Sequence, residues 1–107
     1  ILSKYRKLSA IIFDEIDTGV SGIVSSKVAS LMYNMSRNMQ VLSITHLPQV
    51  ASKGDNHFKV FKYEDKNRTI TDIKLLNKSD RVNEIAEMLS GKKLNKSAKE
   101  LANQLLN

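Results

Sequence analysis

Two short apolar runs bracket a segment with helical periodicity, and this arrangement constrains the fold more than any other feature of the sequence. Ala10–Phe13 and Val41–Ile44 are bounded by polar residues and are typical of buried strands. The strand–helix–strand pattern is that of a βαβ unit, which predicts two neighbouring parallel strands joined by a right-handed crossover. The predicted helix has an apolar face and a polar face. The apolar face contains Val20, Val24, Val28, Leu31, Met32 and Met35. The polar face contains Ser25, Ser26, Ser30 and Asn34.

The second half of the chain predicts a β-hairpin. Two strands flank the turn-forming sequence 65–68, and the favoured register opposes Phe58 to Leu75, Val60 to Ile73 and Tyr63 to Ile70. The apolar residues shift by one position midway along both strands. This shift predicts either a bulge or a tip that buries a different face from the base.

Helices are predicted around these strands. A helix end is expected over 1–8 and a short helix over 49–53. A longer helix is expected to be capped by Asp80 and to end at Gly91. The last helix, over 97–106, is predicted to bury Leu101, Leu105 and Leu106.

Composition limits the possible classes of protein. The 107 residues suit one small α/β domain or part of one, and the first residue is Ile1 rather than methionine, which suggests a piece of a longer protein. The absence of cysteine excludes disulfides and thiolate metal sites, and no apolar run is long enough to cross a membrane. We therefore expect a cytoplasmic protein with no membrane partner. The net charge of +6 permits a nucleic-acid partner, but charge alone favours a solvated lysine-rich surface.

Three polar side chains follow the two predicted parallel strands. Asp14 and Glu15 follow the first strand and His46 follows the second, so all three are expected at one edge of the sheet, where ligands bind. Two acids and a histidine suit phosphoryl transfer. One carboxylate orders Mg²⁺, the other activates the attacking water, and the histidine stabilises developing phosphate charge.

Other interpretations of the same residues remain open. Acidic residues before a helix often only complement its dipole, and a histidine before proline is often a loop residue. A metal-dependent nuclease would use Asp14, Glu15, Asp17 and His46 as ligands. A basic DNA-binding module would depend instead on the lysines and arginine of the hairpin and on the lysines that follow Gly91. His57 has no acidic residue at ligand spacing and is interpreted as structural.

Three segments together resemble the SMC-like branch of the ABC-type ATPases. The apolar run that ends in Asp14-Glu15 resembles a Walker B motif, and 16–20 resembles the D-loop that follows it. Thr45-His46 resembles the switch histidine of these ATPase heads. Arg81-Val82 and the residues up to Gly91 extend the resemblance to a DNA-repair member of the family, although Ser90 stands where a second glycine is expected.

The resemblance implies a role for each residue. Asp14 would coordinate Mg²⁺ through water, Glu15 would be the catalytic base, Asp17 would communicate across a head dimer, and His46 would contact the γ-phosphate of ATP. The expected fold is the C-terminal lobe of a P-loop (ABC-type) ATPase head, with a βαβ parallel core, an added hairpin and two C-terminal helices. The expected partners are the remainder of the head, a second head with ATP sandwiched between the two, and nucleoid DNA through the full-length protein.

Two elements of such a site are missing from the sequence. A P-loop needs Gly, four residues and then Gly-Lys-Ser/Thr, whereas Gly91-Lys92 is followed by lysine and is preceded by Ala86 at the first glycine position. The family's signature motif is absent as well. We therefore expect the chain to carry the hydrolytic half of an ATPase site, and to need the missing parts for binding ATP and Mg²⁺.

Overall fold

The computed structural model describes residues 10–14, 22–91 and 95–107. These residues group into two compact units, one up to Lys53 and one from Gly54 onward. The predicted α/β class, with a parallel core, a hairpin and two C-terminal helices, is confirmed. The predicted helix over 1–8 lies outside the described residues. The elements are β1 (Ala10–Asp14), α1 (Gly22–Met35), β2 (Gln40–Ile44), α2 (Pro48–Ala51), β3 (Phe58–Asp65), β4 (Arg68–Leu75), α3 (Lys78–Ser90) and α4 (Lys96–Leu106).

The first unit is built on the predicted parallel pair. β1 and β2 pair in register from Ala10 opposite Gln40 to Asp14 opposite Ile44. Exposure alternates along both strands, so one face of the sheet is more buried than the other. The core of this unit contains three buried residues of α1 and α2: Ala29, Met32 and Val50. Four partly buried residues pack against them: Phe13 of β1, Val28 of α1, Val41 of β2 and Leu47, which caps α2.

The buried face of α1 differs from the prediction. Val24 and Leu31, expected in the core, are 44% and 62% exposed, whereas Ser25 and Ala29 are buried. Met32 lies in the core as predicted. The prediction was wrong because the apolar pattern considers the polarity of each side chain and not its size. Small side chains such as Ser25 and Ala29 let a helix pack closely against its neighbours. The predicted beginning of this helix, at Val20, lies outside the described residues.

The hairpin of the second unit has the predicted register. Every residue from Phe58 to Asp65 has a partner in β4, so the interpretation as a bulge is wrong. The loop is a two-residue turn in which Lys66 and Asn67 both have positive φ, 48° and 64°, as a type I′ hairpin requires.

The two C-terminal helices pack against each other. The side chain of Asn77 caps α3 by accepting a hydrogen bond from the Asp80 amide at 2.8 Å. The predicted cap, Asp80, instead lies in the first turn, because the asparagine three residues earlier already accepts its N–H. Gly91 ends α3 with φ 83°, in agreement with its predicted role.

The buried face of α4 is formed by small residues. Ala98 and Ala102 are buried, whereas Leu101 is 46% exposed, so the prediction that Leu101 is buried is wrong. The small alanines permit the close approach of the two helices.

None of the described helices is both long enough and apolar enough to cross a membrane.

Candidate functional site

The carboxyl ends of β1 and β2 lie side by side. Asp14, the last residue of β1, pairs with Ile44, the last residue of β2. His46 follows Ile44 by two residues, so Asp14 and His46 lie at one edge of the parallel sheet. Both residues are exposed. An exposed carboxylate and an exposed imidazole at the carboxyl edge of a parallel pair are available to a ligand in the position where α/β sheets bind ligands.

The connection that carries His46 is held at both ends. The amide of Leu47 donates a hydrogen bond of 3.0 Å to Thr45 Oγ1. The carbonyl of Leu47 accepts hydrogen bonds from the amides of Val50 and Ala51, which form the first turn of α2. Because Val50 is 5% exposed and lies in the core, the turn is anchored. The backbone of His46 is thus positioned by its neighbours while its side chain faces solvent.

The first residue of α1 lies close to α2. A Cβ atom added at Gly22 would be 3.6 Å from Gln49 Nε2, within ordinary contact distance. The start of α1 therefore lies beside the helix that follows His46. Residues 15–21 join β1 to this point, but Glu15 and Asp17 lie outside the described residues, and their roles stay predictions.

Asp14 fits one particular kind of metal site. Among the described residues there is no group of three or more histidine, cysteine, aspartate or glutamate side chains able to hold a metal ion. Mg²⁺ differs from ions that need an all-protein cage, because it keeps several waters and binds one or two carboxylates together with substrate phosphates. The exposed carboxylate of Asp14 is compatible with this mode of Mg²⁺ binding.

A second polar cluster surrounds His57 and was missed by sequence reasoning. Lys59 Nζ lies 2.5 Å from Glu84 Oε2, an ion pair between β3 and α3. The Arg81 guanidinium donates a hydrogen bond to the carbonyl oxygen of Gly54. The sequence gives only a weak signal for this cluster. His57 and Lys59 are two residues apart, which is the spacing of one strand face, and Arg81 and Glu84 are three apart, which is the spacing of one helix face. The cluster joins the start of the hairpin to α3, which is a structural role.

Burial and charge act on the titratable groups of this cluster. Burial lowers the pKa of His57, the positive charge of Arg81 lowers it further, Glu84 opposes the shift, and Lys59 adds to it. His57 Nδ1 is buried and, among the described residues, has no hydrogen-bond partner. The hydrogen bond to Glu84 raises the pKa of Lys59. The fold therefore favours a neutral His57 beside a charged Lys59–Glu84 pair.

Comparisons with known proteins identify relatives of the chain. No family model matches it. The DNA repair protein RecN of Halalkalibacterium halodurans is 41% identical over 106 residues, which are 99% of this chain and 19% of that protein. RecN of Bacillus subtilis is 42% identical over 106 residues, 99% of this chain and 18% of that protein. The chain is therefore RecN-like over almost its whole length. RecN of Rickettsia conorii is 44% identical over 91% of the chain.

The chain spans about one fifth of the length of these RecN relatives. A solved structure from work on the ATP-driven dimerization and DNA-stimulated activation of SMC ATPases has a similar fold, with a TM-score of 0.65. The alignment covers 86% of this chain and 54% of that one at 18% identity. The RecN-like segment thus shares its fold with a part of an SMC ATPase.

Proposed function

We propose that this chain is the C-terminal lobe of an ATPase head in a RecN-like DNA repair protein and carries the hydrolytic half of the ATP site. The observation that carries the proposal is the strand register, in which Asp14 pairs with Ile44 and His46 follows at the same sheet edge. The relatives named DNA repair protein RecN and the SMC ATPase fold support the same conclusion.

Each residue has a distinct task in this proposal. Asp14 would hold Mg²⁺ through a water molecule, and the bound ion would supply positive charge beside the phosphates. Glu15 accepts a proton from the attacking water, which is general-base catalysis. His46 donates a hydrogen bond to the γ-phosphate and stabilises charge that develops there. Bound Mg²⁺ would neutralise phosphate charge. The three side chains would position the reacting groups and accept the proton.

The remaining parts of the site come from outside this chain. The 107 residues contain no P-loop to cradle phosphates. We propose that the remainder of the head supplies it, and that a second head closes the site with ATP between the two. Asp17 would then communicate across that head dimer. In this proposal the complete protein works on double-strand breaks in nucleoid DNA within the cytoplasm.

Glu15→Gln in the complete polypeptide tests the proposal. Glutamine keeps the size of the side chain and removes its basicity, so we expect ATP affinity to be retained and steady-state hydrolysis to fall by at least about 100-fold. The matched control is Glu100→Gln on the exposed surface of α4, which is expected to leave both unchanged. Undiminished hydrolysis by the Glu15→Gln protein overturns the assignment.

The same two variants distinguish the ATPase proposal from the two alternative functions. The similarity to RecN does not favour either alternative. A metal-dependent nuclease built on Asp14, Glu15, Asp17 and His46 would cleave DNA without ATP, and Glu15→Gln would abolish that cleavage. A basic DNA-binding module would bind DNA in a salt-dependent manner that ignores Glu15. Loss of ATP turnover with ATP binding intact is predicted by the ATPase proposal alone.

A further inference from the structure

His46 lies in a short connection between β2, which ends at Ile44, and α2, which begins at Pro48. Exposure alternates along this connection as it does along β2, since Thr45 is half-buried, His46 is exposed and Leu47 is half-buried. Successive side chains of an extended chain lie on opposite sides. The Thr45 side chain therefore lies on the core side of the connection, and the imidazole of His46 lies on the solvent side.

The residue that follows His46 is fixed by several contacts. Leu47 has an extended backbone, with φ −98° and ψ 128°, which is the conformation favoured before a proline. Its side chain packs against the core of the first unit. Its carbonyl oxygen accepts the amide hydrogen bonds of Val50 and Ala51. Leu47 is thus a fixed point to which the backbone of His46 can be tied.

The Thr45 hydroxyl makes that tie across His46. Thr45 Oγ1 accepts a hydrogen bond of 3.0 Å from the amide of Leu47, two residues further along the chain. A threonine side chain that accepts this N–H closes a local turn, and the residue between the two partners lies at its centre. That central residue is His46. The turn thus fixes the backbone from which the imidazole projects.

We propose that Thr45 is a positioning residue for ATP hydrolysis, because its hydrogen bond to the Leu47 amide holds His46 where the imidazole reaches the γ-phosphate. The inference rests on the proposed function, in which His46 makes that contact. Thr45 acts through His46 and not on the nucleotide, since its side chain lies on the core side of the connection.

The precision that catalysis requires explains why such a turn matters. A hydrogen-bond donor stabilises developing charge when it lies about 2.7–3.1 Å from the charged oxygen. A displacement of about 1 Å can lower a rate by about 100-fold. His46 is exposed, so its position depends on the backbone that carries it. Loss of the Thr45 hydroxyl releases that backbone between Ile44 and Leu47.

Thr45→Val in the complete polypeptide tests the inference. Valine keeps the size and the branched Cβ of threonine and removes the hydrogen-bond acceptor. We expect kcat for ATP hydrolysis to fall about 10–100-fold, with KM for ATP changed by less than about twofold. Thr45→Ser keeps the hydroxyl and is expected to retain kcat within about threefold. The control is Thr69→Val, which removes a hydroxyl bonded to Glu64 on the exposed hairpin and should leave kcat unchanged.

Two further measurements separate positioning from a general structural role. With the imidazole removed by His46→Ala there is nothing to position, so adding Thr45→Val should lower kcat by less than about twofold more. Hydrogen exchange reports the turn without any nucleotide. The Leu47 amide should exchange at least about tenfold faster in Thr45→Val than in Thr45→Ser. Thr45→Ala repeats both measurements if the valine variant fails to fold.

Several results would overturn the inference. They are an undiminished kcat in Thr45→Val, an equal loss with and without the His46 imidazole, no recovery by Thr45→Ser, or unchanged exchange of the Leu47 amide. Failure of both the valine and the alanine variants to fold would show a structural role and would also overturn it. Undiminished hydrolysis by His46→Ala would instead contradict the proposed role of His46 itself. A loss in His46→Ala without one in Thr45→Val contradicts the inference alone.

Discussion

Asp14 pairs with Ile44 at the carboxyl ends of two parallel strands, and this pairing brings His46 to the edge at which β1 ends. The hydrogen bond from the Leu47 amide to Thr45 Oγ1 holds the connection on both sides of His46. A carboxylate and an imidazole separated by 32 positions in sequence are thereby presented at one edge of the sheet.

Asp14→Asn is expected to weaken the use of Mg²⁺ by the complete polypeptide. The amide keeps the shape of the side chain but loses the negative charge that attracts the hydrated ion. We expect the Mg²⁺ concentration needed for half-maximal ATP hydrolysis to rise about 10–100-fold. Asp72→Asn, an equal change of charge on the hairpin, is the control. An unchanged Mg²⁺ titration curve would show that Asp14 is not the metal-ordering residue.

His46→Ala is expected to lower kcat for ATP hydrolysis by about 10²–10³-fold, the usual cost of losing a hydrogen bond that strengthens in the transition state. The KM for ATP should change little, because the proposed contact acts mainly on developing charge. His46→Gln keeps an N–H donor and should recover part of the loss. A rise in KM with kcat intact would assign His46 to ground-state binding instead.

His57 is expected to make the stability of the 107-residue chain depend on pH. The folded state lowers its pKa below the ordinary value of 6.5, so below that value the unfolded chain binds the proton first. Its contribution is therefore present in full above pH 6.5 and is lost as the pH falls through the lower pKa of the folded state. Urea unfolding at about pH 7.5 and about pH 5.5 should show the loss.

The matched variant for that experiment is His57→Gln, which does not titrate. Its free energy of unfolding should change less between the two pH values than that of the unmodified chain. An identical pH dependence in both proteins would show that other groups are responsible.

Ala29→Leu is expected to destabilise the chain by about 1–3 kcal/mol, because a larger side chain must be accommodated in a close-packed position. Ser30→Leu makes a comparable enlargement one residue later, at an exposed position, and should change stability by less than about 0.5 kcal/mol. Thermal unfolding of both variants checks the buried face of α1. Equal destabilisation by the two variants would instead favour a buried face centred on Leu31.

The register and the turn of the hairpin were predictable because both depend on local sequence. Phe58 opposite Leu75 and Val60 opposite Ile73 are complementary pairs, and the sequence 65–68 suits a tight turn, so register follows from nearby residues. The edge location of Asp14 and His46 was predictable for a related reason, since a βαβ unit aligns the ends of its two strands.

Features that depend on tertiary packing were not predictable from the sequence. Ser25 and Ala29 lie on the buried face of α1 together with Met32, because small side chains allow close approach to neighbours, and an apolar pattern does not take side-chain size into account. Asn77 outcompetes Asp80 as the cap of α3, although both are good capping residues. The Lys59–Glu84 pair joins a strand to a helix 25 positions later, and no local pattern specifies that contact.

ATP titration of the 107-residue chain and of the complete polypeptide, both with Mg²⁺, tests the central claim most directly. The chain carries Asp14, Glu15 and His46 but no P-loop. We therefore predict saturable binding by the complete polypeptide and none at micromolar ATP by the folded 107-residue chain. Micromolar binding by the 107-residue chain itself would contradict the claim that it holds only the hydrolytic half of the site.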